Sequence, residues 1–163
     1  LTHNPSGIAP LSAELVVSTS QDTTAKLKLR ELEIDFSIAQ KNHTIPILGL
    51  VADTNNEIEI QFTTATGDSE TRLLMVETEP LPDWLPDITI QRADSSKMEP
   101  GWHMAEFSYG NQGTFQTTPF AFDNEGAVRW YLDLTAPGGW KAPIEQLQNG
   151  NLLVGAHFRW SSC

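Results

Sequence analysis

The sequence predicts an all-β protein built in two parts, and three observations support this prediction. Polar and apolar residues alternate over long stretches, most clearly in residues 26–38 and 57–62. Turn signals rich in Asn, Asp and Gly separate such stretches, which is typical of antiparallel hairpins. No segment has the spacing of apolar residues that an ordinary helix requires. We therefore expect a β-sandwich first and a separate β-sheet unit after it.

The first part, residues 1–79, has the pattern of an immunoglobulin-like sandwich, with short strands separated by frequent turns. After an extended lead-in, the strand candidates lie at residues 11–20, 26–38, 44–51, 57–62 and 71–76. The pair 57–62 and 71–76 is expected to form a hairpin across a loop that contains Gly67. Since Cys163 is the only cysteine, the disulfide of a true immunoglobulin domain is not expected.

Several irregular points are expected within this part. We predict a turn at Gln21–Thr24, a bend or bulge at Arg30–Glu31 and a loop at Gln40–His43. Pro46 cannot donate a ladder hydrogen bond, so its strand should lie at a sheet edge or break there. The alternating stretch should point its apolar residues inward, and these are Leu27, Leu29, Leu32, Ile34, Phe36 and Ile38.

A proline-rich connector is expected at residues 80–87, between a first domain at 1–79 and a second at 88–163. Three prolines in the segment ETEPLPDWLPD make a stiff, extended chain. Trp84 in this segment should dock against one of the two domains. The second domain should begin with a short strand at Ile88–Ile90, followed by strands at 103–109 and 114–118.

Two hairpins of one design are predicted near the end of the chain. Each has a tight turn with a glycine between two apolar runs, which supplies the positive φ that short loops need. The turns are Asp123–Gly126, between 120–122 and 128–132, and Asn149–Asn151, between 144–147 and 152–156. Four short antiparallel strands are the content of one propeller blade. Because one blade cannot close a ring, we expect the chain to be the front of a longer protein.

A blade without a successor should expose an apolar face or an open strand edge. The residues concerned are Trp130, Leu132, Leu152 and Val154. Such patches tend to find a partner, so we expect self-association through residues 115–163 and a possible homo-oligomer.

Composition limits the partners of this chain. Ten Lys and Arg against 21 Asp and Glu give a net charge of −11, which disfavours nucleic acid and anionic membrane surfaces. No apolar run is long enough to span a membrane. A leader segment is expected to be absent or already removed, because the chain starts at Leu1 without a charged and apolar lead.

Few residues suggest chemistry by their own pattern. The four histidines, His3, His43, His103 and His157, lack ligand spacing, so we expect no metal and no cofactor. Asp123, Glu125 and Asp133 resemble an acid–base cluster, but acids in turns usually bond the backbone. The aromatic residues Trp130, Tyr131 and Trp140 suit either stacking on an aromatic substrate or packing in a core.

Four stretches of the chain resemble a known family, the bacterial arylsulfate sulfotransferases. Asn4–Leu11 resembles the entry of their N-terminal domain, and Thr44–Asn56 resembles its middle. Phe122–Leu132 and Gln148–Leu152 resemble the first blade of their propeller. The resemblance covers nearly the whole chain, in the right order.

This resemblance implies an immunoglobulin-like sandwich joined to a six-bladed propeller, in a periplasmic or exported enzyme. The family moves a sulfuryl group from a phenolic sulfate ester to a phenol through a sulfurylated histidine, without a nucleotide donor. The family's sulfurylated histidine matches no position of this chain. We therefore expect no catalytic residue in the chain and no activity of the chain alone. His157 and Arg159, after the last predicted strand, are the candidate substrate-binding residues.

Two other functions remain open from the sequence. The chain could be a non-catalytic binding or adhesion module, or part of a propeller enzyme of another class. A quinone-dependent dehydrogenase and a glycosidase are examples of the latter, and paired carboxylates in later blades would favour the glycosidase.

Overall fold

The computed structural model describes residues 1–94, 97, 101–109, 116–134, 140–146 and 152–157. For residues 109, 116, 140–146 and 152–157 it describes the backbone alone. All regular structure in these residues is β-strand, which confirms the all-β prediction. None of the described residues belongs to a helix that is long and apolar enough to cross a membrane.

The chain divides into two compact units, Leu1–Pro80 and Leu81–Cys163. Of the residues predicted as a connector, Pro80 ends the first unit and residues 81–87 begin the second. The domain limits at residues 79 and 88 stay a prediction.

The first unit is one antiparallel sheet of five strands. These are β1 (Thr2–His3), β2 (Ser12–Leu29), β3 (Leu32–Leu48), β4 (Thr54–Thr64) and β5 (Ser69–Thr78). The long strand β2 pairs with β1, β3 and β4, and β5 pairs with the far side of β4.

This sheet curls, so that its inner side chains pack on one another. His43 of β3 and Phe62 of β4 belong to strands that do not pair, yet their ring centroids are 5.3 Å apart. Inward residues at both ends of β2 are buried, as are those in the second half of β3 and along β4. The most deeply buried apolar side chains are Leu11, Leu27, Ile45, Ile47, Leu50, Ile58 and Ile60. Burial of such side chains is the main term that stabilises this unit.

The predicted hairpin of 57–62 and 71–76 is confirmed as β4 and β5. Their register runs from Thr54 opposite Thr78 to Thr63 opposite Ser69. Gly67 supplies a φ of +92° in the connecting turn, where its amide donates to the Thr64 carbonyl. The strict alternation of residues 57–62 is reproduced, because Ile58, Ile60 and Phe62 are buried.

The turn predicted at 21–24 and the loop predicted at 40–43 are wrong, because both segments lie inside long strands. Pairing of β2 with β3 shifts register between Ser18 and Thr23 and continues beyond it. The Thr19 hydroxyl donates to the Gln21 carbonyl at 2.7 Å. This local bond satisfies a backbone group at the irregularity, so the strand bends there without turning back.

The bulge predicted at Arg30–Glu31 is a tight hairpin turn. Leu29 pairs with Leu32 across these two residues, and Arg30 has a φ of +54°. The inward position predicted for Ile38 is also wrong, because this side chain is 75% exposed. Between Phe36 and Gln40, β3 uses more residues than the facing part of β2, and the resulting register shift breaks the alternation.

Pro46 lies in an edge strand, as predicted. It faces Glu14 of β2, and β3 pairs with no other strand in the described part of the chain. Its missing amide therefore removes no bond from a central ladder.

The second unit has five described strands in two sheets. β6 (His103–Tyr109), β7 (Gln116–Phe122) and β8 (Val128–Tyr131) form one, and β9 (Trp140–Gln146) and β10 (Leu152–His157) form the other. Both predicted hairpins are present, as β7–β8 and β9–β10. In the described residues these four strands do not form one sheet, because β7 and β8 pair with β6 and β9 pairs with β10. The propeller blade stays a prediction.

The short strand predicted at Ile88–Ile90 is not formed. This segment lies instead beside the β7–β8 turn, where a Cβ on Gly126 would stand 2.9 Å from the Ile88 carbonyl oxygen. The backbones approach so closely that only glycine fits. Trp84 packs inside the second unit, with its ring edge against Tyr131 at a centroid distance of 5.9 Å.

Candidate functional site

The β7–β8 turn is organised by the side chain of Asp123, which is 8% exposed. Its Oδ1 accepts hydrogen bonds from the amides of Glu125 at 3.0 Å and Ala127 at 2.8 Å. The Asp123 amide donates to the Ala127 carbonyl, and the Gly126 amide donates to the Asp123 carbonyl. An aspartate that satisfies turn amides in this way fixes the loop geometry.

Arg129 completes this arrangement from β8. Its Nε donates to Oδ2 of Asp123 at 2.7 Å, and both side chains are largely buried. Burial alone would raise the pKa of the Asp123 carboxyl. The hydrogen bonds from Ala127, Arg129 and Glu125 and the charge of Arg129 outweigh it, so the pKa lies below its usual value. Asp123 is therefore ionised at neutral pH and is unsuited to act as a general acid.

His103 and Asn124 join the same turn to β6. The His103 Nε2 and Asn124 Oδ1 atoms are 2.8 Å apart, and the His103 ring lies 5.4 Å from that of Phe122. Phe122 stacks in turn on Phe120 at 5.9 Å. This histidine is held by an amide and an aromatic ring, which is a structural environment.

Of the aromatic candidates, Tyr131 is the one that the structure shows to be buried. Tyr131 is 5% exposed and packs against Trp84. Burial, and then the charge of Asp133, raise the pKa of the Tyr131 hydroxyl. It therefore remains a neutral phenol and belongs to the packed core. Trp130 is half-buried, and the side chain of Trp140 lies outside the described residues.

Neither a metal site nor a histidine cluster is present among the described residues. His3 Nε2 lies 2.7 Å from the Pro10 carbonyl oxygen, and His43 is buried in the first unit with Nε2 bonded to Thr23. The described histidine side chains thus lie in separate structural settings.

The two predicted substrate-binding residues are only partly described. His157 is the last residue of β10, and its backbone pairs with Trp140. Its side chain and the whole of Arg159 lie outside the described residues. Their role in binding stays a prediction, and so does the apolar face predicted around Leu152 and Val154.

The expectation that acids in this turn bond the backbone, and do not form an acid–base cluster, is confirmed for Asp123. Asp123 is committed to the turn and to Arg129, whereas Glu125 in the same turn is exposed. The ion pair of Asp123 with Arg129 was not predicted from the sequence. The sequence does carry a signal for this pair: Arg129 follows closely on a turn that begins with Asp123 and contains Gly126. The register of the hairpin places such an arginine opposite the aspartate.

Comparison with known families finds two family models that match the chain. A family model described as Arylsulfotransferase Ig-like domain matches residues 1–79. A second family model, described as Arylsulfotransferase (ASST), matches residues 57–163. No curated protein matches the chain.

Proposed function

The chain belongs to the arylsulfotransferase family, and from this premise we propose that it serves in sulfuryl transfer from a phenolic sulfate ester to a phenol. The observation that carries this proposal is the match of two successive family models across the whole chain. We also propose that the protein works in the periplasm or outside the cell, and that copies of it associate.

Sulfuryl transfer of this kind requires a nucleophile that can also leave. A histidine nitrogen attacks the sulfur and releases the phenol, and a second phenol then takes the sulfuryl group from the histidine. Splitting the transfer into two steps lowers each barrier, and arginine or protonated histidine stabilises the charge on the sulfuryl oxygens.

The proposed nucleophile is not one of the histidines of this chain. His43 is 1% exposed and is enclosed by the first unit. His103 is held by Asn124, and His3 lies beside a backbone carbonyl in the first unit. Arg129, which could stabilise sulfuryl oxygens, is already paired with Asp123.

His157 and Arg159 are proposed to bind the sulfate group. His157 is the last residue of β10, and Arg159 comes two residues later in the sequence. Both lie in the part of the chain matched by the sulfotransferase model. A cationic or hydrogen-bonding pair at this point would contact sulfate oxygens without forming a covalent bond.

Titration of the ¹⁵N-labelled chain with phenyl sulfate, followed by NMR, tests this role. We expect saturable shifts of the amide signals of residues 152–157. His157→Ala and Arg159→Ala should each weaken binding by about tenfold, because each removes a charge-assisted hydrogen bond.

Arg92→Ala is the matched control, since it removes an exposed arginine from the same unit. It should leave the binding curve unchanged. Shifts confined to other residues, or equal affinity in all three variants, would contradict the assignment of these two residues.

A further inference from the structure

The strand β5 lies at an edge of the first sheet. It pairs with β4 along its whole length, from Ser69 to Thr78, and with no other strand in the part of the chain that the structure describes. Its outer edge therefore presents a row of backbone amides and carbonyls that can form a further ladder. Proteins use edges of this kind to add a strand from a partner.

The sequence of β5 does not protect this edge. The centre of the strand is the apolar run Leu73–Val76, which contains no proline, and the ladder with β4 runs without a register shift. On the outer face of the sheet, Leu73 is 61% exposed and Met75 is 50% exposed. Natural edge strands are usually kept from pairing by prolines, charges or bulges. The middle of β5 has none of these.

The edge strand β3 does carry such protection. It contains the exposed residues Lys41 and Pro46, and its ladder with β2 shifts register on both sides of Thr23. A proline without an amide and an irregular ladder both hinder the addition of another strand. The contrast between the two edge strands indicates that β5 is the one suited to accept a partner.

A second copy of this chain fits the β5 edge. Two identical strands that pair antiparallel about a two-fold axis meet symmetrically around one residue. With Leu74 at that centre, Leu74 lies opposite Leu74 of the second copy. Leu73 then lies opposite Met75 of the second copy, and Met75 opposite its Leu73. Both exposed apolar side chains of each copy thus gain an apolar neighbour, and the ladder extends over residues 70–78.

Other centres of symmetry match less well. A pair centred on Leu73 would place Met75 opposite Thr71 of the second copy. A pair centred on Met75 would place Leu73 opposite Glu77. Each of these pairings leaves an exposed apolar side chain facing a polar one, so the pairing centred on Leu74 is favoured.

The charged residues of β5 are compatible with the same pairing. Each would face an uncharged residue of the second copy, so no like charges lie opposite one another. The opposed pairs are Glu70 with Thr78, Arg72 with Val76 and Glu77 with Thr71. Within one chain Glu70 and Arg72 already form an ion pair, so these two charges are compensated without the second copy.

We infer that two copies of this chain associate through β5, in an antiparallel pair centred on Leu74 that joins their first sheets into one. This inference rests on the proposed association of copies and locates it in the first unit, outside residues 115–163. It does not depend on sulfuryl transfer. Because a single pair of strands makes a small interface, we expect a dimer that dissociates on dilution.

Sedimentation equilibrium of the intact chain at several concentrations tests the inference, with a reductant present so that Cys163 cannot link copies. We expect a monomer–dimer equilibrium. Leu73→Glu and Met75→Glu should each weaken the dimer by at least about tenfold, because each places a carboxylate opposite an apolar side chain. Ile38→Glu is the matched control, since Ile38 is an apolar residue of the edge strand β3 that is 75% exposed. It should leave the dimerisation constant unchanged.

A disulfide cross-link tests the pairing itself. In a chain that also carries Cys163→Ser, Leu74→Cys should link two copies under mild oxidation. The two Cβ atoms would lie about 4.5–5.5 Å apart across the ladder, which is close to the separation that a disulfide requires. Ile38→Cys in the same background is the control and should link copies much more slowly.

The possible results separate this inference from the other proposals. A chain that stays monomeric at every concentration would refute both the inference and the proposed association. A dimer that Leu73→Glu and Met75→Glu leave intact would refute the inference alone, because copies would then associate elsewhere. Linking of Leu74→Cys no faster than that of Ile38→Cys would overturn the pairing centred on Leu74. Sulfate binding is read separately, at residues 152–157.

Discussion

Asp123→Ala is expected to destabilise the second unit by about 3–5 kcal/mol, the usual cost of removing one member of a buried ion pair. The substitution leaves the guanidinium of Arg129 largely buried without its carboxylate. It also removes the acceptor of the Glu125 and Ala127 amides, which hold the turn between β7 and β8. Both losses act on the same hairpin.

The measurement is urea unfolding followed by tryptophan fluorescence. All five tryptophans, at positions 84, 102, 130, 140 and 160, lie in the second unit, so the signal reports this unit alone. Glu125→Ala is the matched control, because Glu125 is exposed in the same turn. It should change the unfolding free energy by less than about 0.5 kcal/mol. An equal effect of the two substitutions would refute the structural role of Asp123.

The same pair makes the second unit sensitive to acid. Folding lowers the pKa of Asp123, so its stabilising contribution is fully present above the ordinary aspartate pKa. That contribution is lost as the pH falls through the lowered pKa of the folded state. The difference in stability between the wild type and Asp123→Ala should therefore shrink in this acidic range and stay constant near neutral pH.

Gly126→Ala is expected to destabilise the second unit by roughly 2–4 kcal/mol, from backbone strain and steric overlap together. Gly126 has a φ of +89°, which side chains rarely adopt. Its Cβ would also stand 2.9 Å from the backbone oxygen of Ile88, which cannot move aside as a flexible side chain would. Tryptophan fluorescence again measures the effect.

Comparison with Gly126→Asn separates the two causes. Asparagine tolerates positive φ better than alanine does but brings the same Cβ. If the contact with Ile88 dominates, both variants unfold at similarly low urea concentrations, which is the result we expect. If Gly126→Asn instead had the stability of the wild type, backbone strain alone would explain why position 126 requires glycine.

Local sequence patterns predicted those hairpins whose stabilising hydrogen bonds join residues close in the sequence. The β4–β5 hairpin follows from the alternation around Ile58 and Ile60 and from the turn that contains Gly67. The β7–β8 hairpin follows from Asp123 and Gly126, and even the backbone-bonding role of Asp123 could be expected from its place in a turn.

The elements that were missed depend on partners distant in the sequence. Arg30 carries the β2–β3 turn with a positive φ although it is neither glycine nor asparagine, so no local signal marks the turn. The residues at 21–24 resemble a turn but remain in a strand, because Thr23 pairs with both β3 and β4 and Thr24 pairs with β4. Tertiary pairing overrides local preference at both places.

The candidate sites show the same difference between features set by local sequence and features set by distant partners. Asp123 was found from its turn, whereas its pair with Arg129 depends on the hairpin register. The irregular pairing around Thr23 lies where the ladders of β2 with β3 and β4 change, and no single segment encodes that change. His43, in a predicted loop, is in fact buried because β3 continues through it.

The chain is proposed to serve in sulfuryl transfer without supplying the histidine nucleophile. The most direct test is 4-nitrophenol release by the purified chain from 4-nitrophenyl sulfate, with phenol as acceptor. We predict release no faster than in buffer, because the described histidines are held in structural settings and His157 is proposed only to bind sulfate. Steady release that is abolished by replacing His3, His43, His103 or His157 with alanine would contradict this claim.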